Sequence, residues 1–187
     1  MQTITELAAS FHEYLNSRDI PKLITIVEEL RRAISNNTSP PLDHLISTGI
    51  IPHIVGLLSY EFFDETKLLV ECGWIIANIA SGSVKHVAYL MKLEIVPVAV
   101  SLLDHPIEDV QDNGVWILSN VAGDSIENRD LLIEMGLVEK IENTLDGNSF
   151  QPVFIGHVSW LISNLCRGKP YPSPIKVTNS MIFSYLL

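Results

Sequence analysis

The sequence predicts an all-α solenoid of stacked helical repeats, and three observations carry that prediction. One pattern occurs three times, as Trp74-Ile-Ile-Ala-Asn78, Trp116-Ile-Leu-Ser-Asn120 and Trp160-Leu-Ile-Ser-Asn164, at intervals of 42 and 44 residues. Periods of that size belong to helical units that bury their apolar faces against one another. A second pattern keeps the same register: Ile50-Ile51-Pro52 leads to Leu57-Leu58, Ile95-Val96-Pro97 to Leu102-Leu103, and Leu137-Val138 to Leu145. Finally, the apolar spacings are three and four rather than two, which argues for helices and against strands.

Taken in order, residues 1 to 20 predict an amphipathic helix with Ile4, Leu7, Ala8, Phe11 and Leu15 on one side. Each following unit reads as a short helix after a glycine turn, a second helix starting near the Pro position, and a third carrying Trp and Asn. Gly82, Gly123 and Gly168 follow the three Trp helices. Ser39-Pro40-Pro41 places a capping hydroxyl before prolines of a first helical turn, where a missing N–H costs nothing. Asp124-Ser125-Ile126-Glu127 has the spacing of a capping box after the Gly123 turn. Loops are expected at 60–65, 105–108 and 147–152, with Asp146-Gly147-Asn148 the clearest turn. Pro170, Pro172 and Pro174 break helix, and the uncharged 181–187 predicts an incomplete next repeat with an exposed or self-associating edge.

With 47% hydrophobic residues, the 187-residue chain can fill a core. Twelve Lys and Arg against 22 Asp and Glu give a formal charge of −10, which disfavours nucleic acid and anionic membranes and favours basic ligands. The N-terminus lacks the basic and apolar regions of a secretory signal. No uninterrupted apolar run reaches the roughly 20 residues that span a bilayer; the best, near 68–80, contains Glu71 and Asn78. Cys72 and Cys166 fall in different repeats and are expected as reduced thiols in or near the core. The sequon Asn36-Asn37-Thr38 is expected to go unused, and the expected compartment is cytoplasm and nucleus. His12, His44, His53, His86, His105 and His157 have no metal-ligand spacing, and there is no phosphate-binding Gly loop or nucleophile elbow. No catalytic residue, metal or cofactor is therefore expected.

The Trp and Asn of each copy lie four residues apart, so both project from one helix face. A peptide rises about 3.3 Å per residue and packed helices sit roughly 8–10 Å apart, so successive Trp/Asn rungs are spaced about three peptide residues apart. Asn amides donate and accept at once and can pair with a peptide backbone. Lys or Arg stems can lie on the indoles while their heads reach acid, each contact contributing about 0.5–2 kcal/mol. The residue three before each Trp shares that face, giving the stripes Glu71/Trp74/Asn78, Asn113/Trp116/Asn120 and His157/Trp160/Asn164. Glu71 is expected to attract a cation, Asn113 to add a polar contact, and His157 to weaken basic-peptide binding when protonated. Asn is a poor helix-interior residue and costly to bury unpaired, so its triple recurrence points to a surface role.

Asn78-Ile-Ala-Ser-Gly82, Val115-Trp-Ile-Leu-Ser-Asn-Val-Ala-Gly-Asp124 and Trp160-Leu-Ile-Ser-Asn-Leu-Cys-Arg-Gly-Lys169 resemble the armadillo repeats of importin α, the nuclear import adaptor. Glu28 to Ser35, Ser39 to Asp43 and Ser47 to Pro52 look like its first repeat. The resemblance implies a right-handed armadillo superhelix of about four repeats of 40–47 residues, the last incomplete. Residues 1–20 would form an N-terminal helix and cap, 21–172 the repeats, and 173–187 a truncated next repeat, making this a short form covering only the N-terminal repeats. It further implies binding of proteins carrying Lys/Arg-rich nuclear localisation signals, through Trp74, Asn78, Trp116, Asn120, Trp160 and Asn164. Gly82 and Asp124 match positions around the pocket for the most important lysine. Val87 stands where relatives have Thr, Asn113 where they have Gln and His157 where they have Asn, while Lys85 and His86 add positive or near-neutral character beside that pocket. Relatives begin with a basic segment that binds importin β. Residues 1 to 20 hold Arg18 as their strong cation, which argues against that partner. The alternative is a truncated armadillo decoy or scaffold that binds cargo or other partners without importin β-dependent transport.

Overall fold

The computed structural model describes residues 2–35, 40–146 and 149–172. The 36–38 sequon, the Ser39 cap, the Gly147-Asn148 turn and the incomplete repeat expected over 173–187 lie outside the described residues. Among the described residues are eleven α-helices and one 3-10 turn, and no strand. Two compact units divide the chain, Met1–Leu93 and Glu94–Leu187.

The first unit holds α1 (Ile4–Ser17), α2 (Ile20–Ser35), α3 (Leu42–Ser47), α4 (Ile51–Leu57), α5 (Thr66–Ala80) and α6 (Val84–Lys92). A capping box starts α1: Glu6 N donates to Thr3 Oγ1 at 3.3 Å, and Thr3 N donates to Glu6 Oε2 at 2.7 Å. Ile4, Leu7, Ala8 and Phe11 are buried as their spacing predicts, whereas Leu15 is half-buried. Arg18, at φ 52° and ψ 34°, turns the chain so that α2 packs back along α1. Leu23, Val27, Leu30 and Ile34 of α2 are fully buried, each such side chain contributing about 1.5–3 kcal/mol. Helix α2 packs against both α1 and α5. Pro40 and Pro41 precede α3 rather than occupying its first turn, because the helix begins at Leu42 with Pro41 at its cap. Pro52 does sit in the first turn of α4. The expected 60–65 loop contains a single 3-10 turn, Tyr60–Phe62.

The second unit holds α7 (Ile95–Leu102), α8 (Glu108–Asp124), α9 (Ile126–Glu134), α10 (Leu137–Leu145) and α11 (Pro152–Cys166), with α8 packed on α7, α9 and α11. In chain order, α3–α5, α6–α8 and α9–α11 are the three expected triplets, each ending in a Trp helix. The capping box expected at Asp124 is displaced by one residue. Helix α8 runs through Gly123 to Asp124, and the extended Ser125 caps α9 by accepting from Asn128 N at 3.1 Å. Gly123 is not a turn: a Cβ there would stand 3.2 Å from Asn164 Nδ2, so the glycine makes room for α11. A glycine at this point of a helix carries a penalty of about 1 kcal/mol relative to Ala.

Helix α7 crosses α8 at Gly114, where a Cβ would meet the Ala99 carbonyl at 2.7 Å. The obstacle is backbone, which cannot rotate away. Gly114→Val is therefore expected to destabilise the protein by about 1–3 kcal/mol, read as a lower urea midpoint at an unchanged slope. An unchanged midpoint would show that α7 and α8 do not approach this closely.

Among the described residues no helix is long and apolar enough to cross a membrane. Cys72 is buried, Cys166 half-buried, and both are free thiols whose pKa burial pushes up, which suppresses thiolate chemistry.

Candidate functional site

In the first unit the site is the outer face of α5. Trp74 is 37% exposed, and Asn78, one turn on, donates its Nδ2 to the Trp74 carbonyl at 2.8 Å. This local bond holds the amide beside the indole and shows why Asn is tolerated inside the helix. Glu71 is buried, and the cation it attracts belongs to the chain itself. Arg31 of α2 pairs with it through Nε, and the Arg31 guanidinium carbon lies 4.7 Å from the centroid of the Trp74 ring. Sequence reasoning passed over Arg31, although the register pointed to it: it stands 43 residues before Trp74, where an earlier rung would carry its indole.

Gly82 lies in the exposed turn after α5, and a Cβ there would collide with the His86 imidazole. Ser83 N donates to His86 Nδ1 at 3.0 Å, so the neutral ring carries its proton on Nε2, which faces Asp43 Oδ1 at 2.9 Å. His86 is thereby tied down at the Gly82 turn. Lys85 is exposed, and Val87 is buried, so its side chain serves packing within this unit.

In the second unit, α8 and α11 carry the other two rungs. Trp116 is half-buried, and Asn120 donates to its carbonyl at 3.1 Å, repeating the Asn78 arrangement. Asn113 is buried and donates to Asp109 O at 3.0 Å, which turns its amide along its own helix. The side chain on the outer face is instead Asp112, four residues before Trp116. Its Oδ1 lies 2.7 Å from Nδ1 of His157, and the His157 ring stacks on Trp116 with centroids 5.3 Å apart and planes 31° from parallel. An acid four residues before Trp occurs in this copy alone, since Val70 and Gly156 occupy the other two positions; that was the available sequence signal.

Asp124, at the end of α8, accepts from Asn128 Nδ2 at 3.0 Å. Burial pushes its carboxyl above the usual value, an effect the Asn128 bond partly offsets. A carboxylate short of solvation gains more than an exposed one from an arriving cation. Trp160 is 40% exposed, the most open of the three indoles. Asn164 differs from the surface amide expected: it is 4% exposed and donates Nδ2 to Ser119 O of α8 at 2.9 Å. The close approach at Gly123 brings this amide onto α8, so its bond joins two helices. Within the first unit Trp74 shares a cation with Glu71, and within the second Trp116 stacks with the imidazole that meets Asp112, each an arrangement suited to a cation on an aliphatic stem.

No family model matches the chain. Its sequence is 34% identical over 159 residues to importin subunit alpha-1b of Oryza sativa subsp. japonica, 35% over 144 residues to importin subunit alpha-2 of Arabidopsis thaliana, and 32% over 171 residues to the probable importin subunit alpha-A of Dictyostelium discoideum. These matches cover 85%, 77% and 84% of the chain. The chain belongs to the importin α family. It spans less than a third of those relatives' length, 29%, 26% and 30% respectively. The fold agrees with this membership. A designed armadillo repeat protein in complex with the peptide (KR)4 matches 98% of the chain, with 70% of its own length covered, at TM-score 0.74 and 25% identity. A computationally designed armadillo repeat protein for modular peptide recognition matches 98%, with 70% of its own length covered, at TM-score 0.73 and 22% identity. The importin α chain thus has the armadillo-repeat fold that the resemblance implies, built of the stacked helical repeats that its 42- and 44-residue spacings predict, and its family is one of binding proteins rather than enzymes.

Proposed function

We propose that this chain binds Lys/Arg-rich nuclear localisation signals in a Trp/Asn-lined acidic groove and acts in nuclear protein import, between cytoplasm and nucleus. Family membership supports the import role, and a net charge of −10 suits basic cargo. The observation that carries the reading is the Arg31–Glu71–Trp74 cluster. It is the contact a signal's arginine needs, a guanidinium on an indole face with its charge on a carboxylate, realised here within the chain. The (KR)4 ligand of the structurally similar designed protein has the same chemistry. In this reading the open faces of Trp74, Trp116 and Trp160 receive basic stems, Asn78 and Asn120 meet the peptide backbone, and Gly82 and Asp124 flank the pocket for the principal lysine. Buried Asn164 ties α11 to α8, and buried Asn113 bonds within α8. Residues 1 to 20 serve as the cap and 21–172 as the repeats.

Fluorescence anisotropy with a labelled Lys/Arg-rich localisation peptide tests this. Saturable binding that weakens as salt rises, and is absent for the same peptide with Gln at every basic position, is the expected result. Equal binding of both peptides would overturn it. Retention of importin β on the immobilised chain would favour full transport; cargo binding without importin β would favour the decoy or scaffold reading.

A further inference from the structure

We infer that Asp112 and His157 form a pH-gated cation subsite on Trp116, in which Asp112 receives the basic head of a bound peptide and His157 competes for the same place once protonated. This rests on the peptide-binding reading above and adds to it a specificity-determining acid and a control. Asp112, Trp116 and Asn120 are spaced four apart along α8 and so form one stripe. The side chains of His157 and Asp112 are 29% and 25% exposed, so the pair is open to a ligand.

The charge balance sets the direction. With His157 neutral, its Nδ1–H donates to Asp112, and the pair keeps one negative charge beside an indole. A Lys or Arg head arriving there is attracted by both. With His157 protonated the pair is neutral, and a cationic ring already covers Trp116. Binding of a basic peptide and binding of that proton are then mutually exclusive, so each weakens the other to the same degree. The Trp74 rung works differently, because the cation beside it is an arginine that stays charged throughout.

Few other groups can mimic this response. Helix α11 contains no Asp, Glu, Lys or Arg, and its Cys166 thiol is pushed up by burial. Of the helices packed on α11, α8 brings Asp112 to His157 and Glu108 to the Gln151 N–H, at 3.1 Å. From α9, Arg129 is engaged by Asp130 and by the carbonyls of Arg167 and Pro170, at the far end of α11. Asp124 also titrates on the acid side, but its contribution persists when His157 is removed, which separates the two.

The test is the affinity for a (Lys-Arg)4 peptide at about pH 5.5 and 7.5, on either side of the usual imidazole range, at fixed ionic strength, for the unmodified protein, His157→Asn and Asp112→Asn. The unmodified protein is expected to bind at least about fivefold more weakly at the lower pH, a ratio within the range of ordinary linkage between sites. His157→Asn should bring that ratio below about twofold, and Asp112→Asn should weaken binding at the higher pH and flatten the profile. Without peptide, tryptophan emission should differ between the two pH values in the unmodified protein and not in His157→Asn. Equal affinity at both pH values, or an unchanged ratio in His157→Asn, overturns the gate and leaves the groove reading standing. Absence of binding by the unmodified protein and by His157→Asn at both pH values overturns the groove reading and the gate with it.

Discussion

Glu71→Ala is expected to cost about 3 kcal/mol of stability. The side chains of Arg31 and Glu71 are 17% and 11% exposed, so both charges have lost most of their water. Removing the carboxylate leaves a guanidinium between α2 and α5 with the Trp74 face and the field of the Glu28 carboxylate for compensation. That face contributes about 0.5–2 kcal/mol, less than the cost of an unpaired buried charge. Because α2 and α5 pack along their lengths, the loss reaches the whole first unit. The paired replacement Arg31→Met with Glu71→Leu should recover most of the stability, since apolar side chains of similar size remove the desolvation cost as well as the attraction. Urea denaturation of the three variants decides this. A Glu71→Ala protein within about 0.5 kcal/mol of the unmodified one would place the pair in solvent, where ion pairs contribute little.

Trp160→Ala is expected to have the larger effect on binding and a small one on folding. The indole is 40% exposed, so its truncation opens little core, whereas neighbouring Leu161 and Leu165 are fully buried and stay in place. Aromatic residues that receive a ligand's stem commonly supply 2 kcal/mol or more of binding energy, so the affinity for a basic peptide should fall by about tenfold or more. Unfolding curves should shift little. An unchanged affinity would remove the α11 rung from the proposed groove. A collapse of stability instead would mean that the ring serves packing.

The repeat architecture was legible because its cause is periodic. The apolar spacing and the 42- and 44-residue intervals reflect one helical triplet used again, and the helices follow them in order. The exposure of Trp74 and Trp160 was also legible, through the Asn placed one turn after each, whereas Trp116 is half-buried. What escaped were features set by distant neighbours. Arg31 lies 40 residues before the acid it pairs with, and nothing local marks it as the cation on Trp74. Asp112 was hidden by the choice of the position three rather than four residues before Trp116; both lie near the same face, and the packing of α11 decides between them. Asn164 shares the local pattern of Asn78 and Asn120, yet the room left at Gly123 draws its amide onto α8. At Asp124 the glycine before it suggested a turn, whereas α8 continues through and Ser125 takes over as the cap. The cases of Arg31, Asp112 and Asn164 depend on contacts between elements, which spacing along one element cannot specify; the cap at Ser125 is a local shift of one residue.

The most direct measurement is isothermal titration of the unmodified protein with a (Lys-Arg)4 peptide at neutral pH and low salt. Saturable heat with one peptide per chain, reduced about tenfold or more in affinity by Trp160→Ala, is the predicted result. No saturable heat for the unmodified protein would contradict the claim that its indoles and carboxylates form a receptor for basic signals.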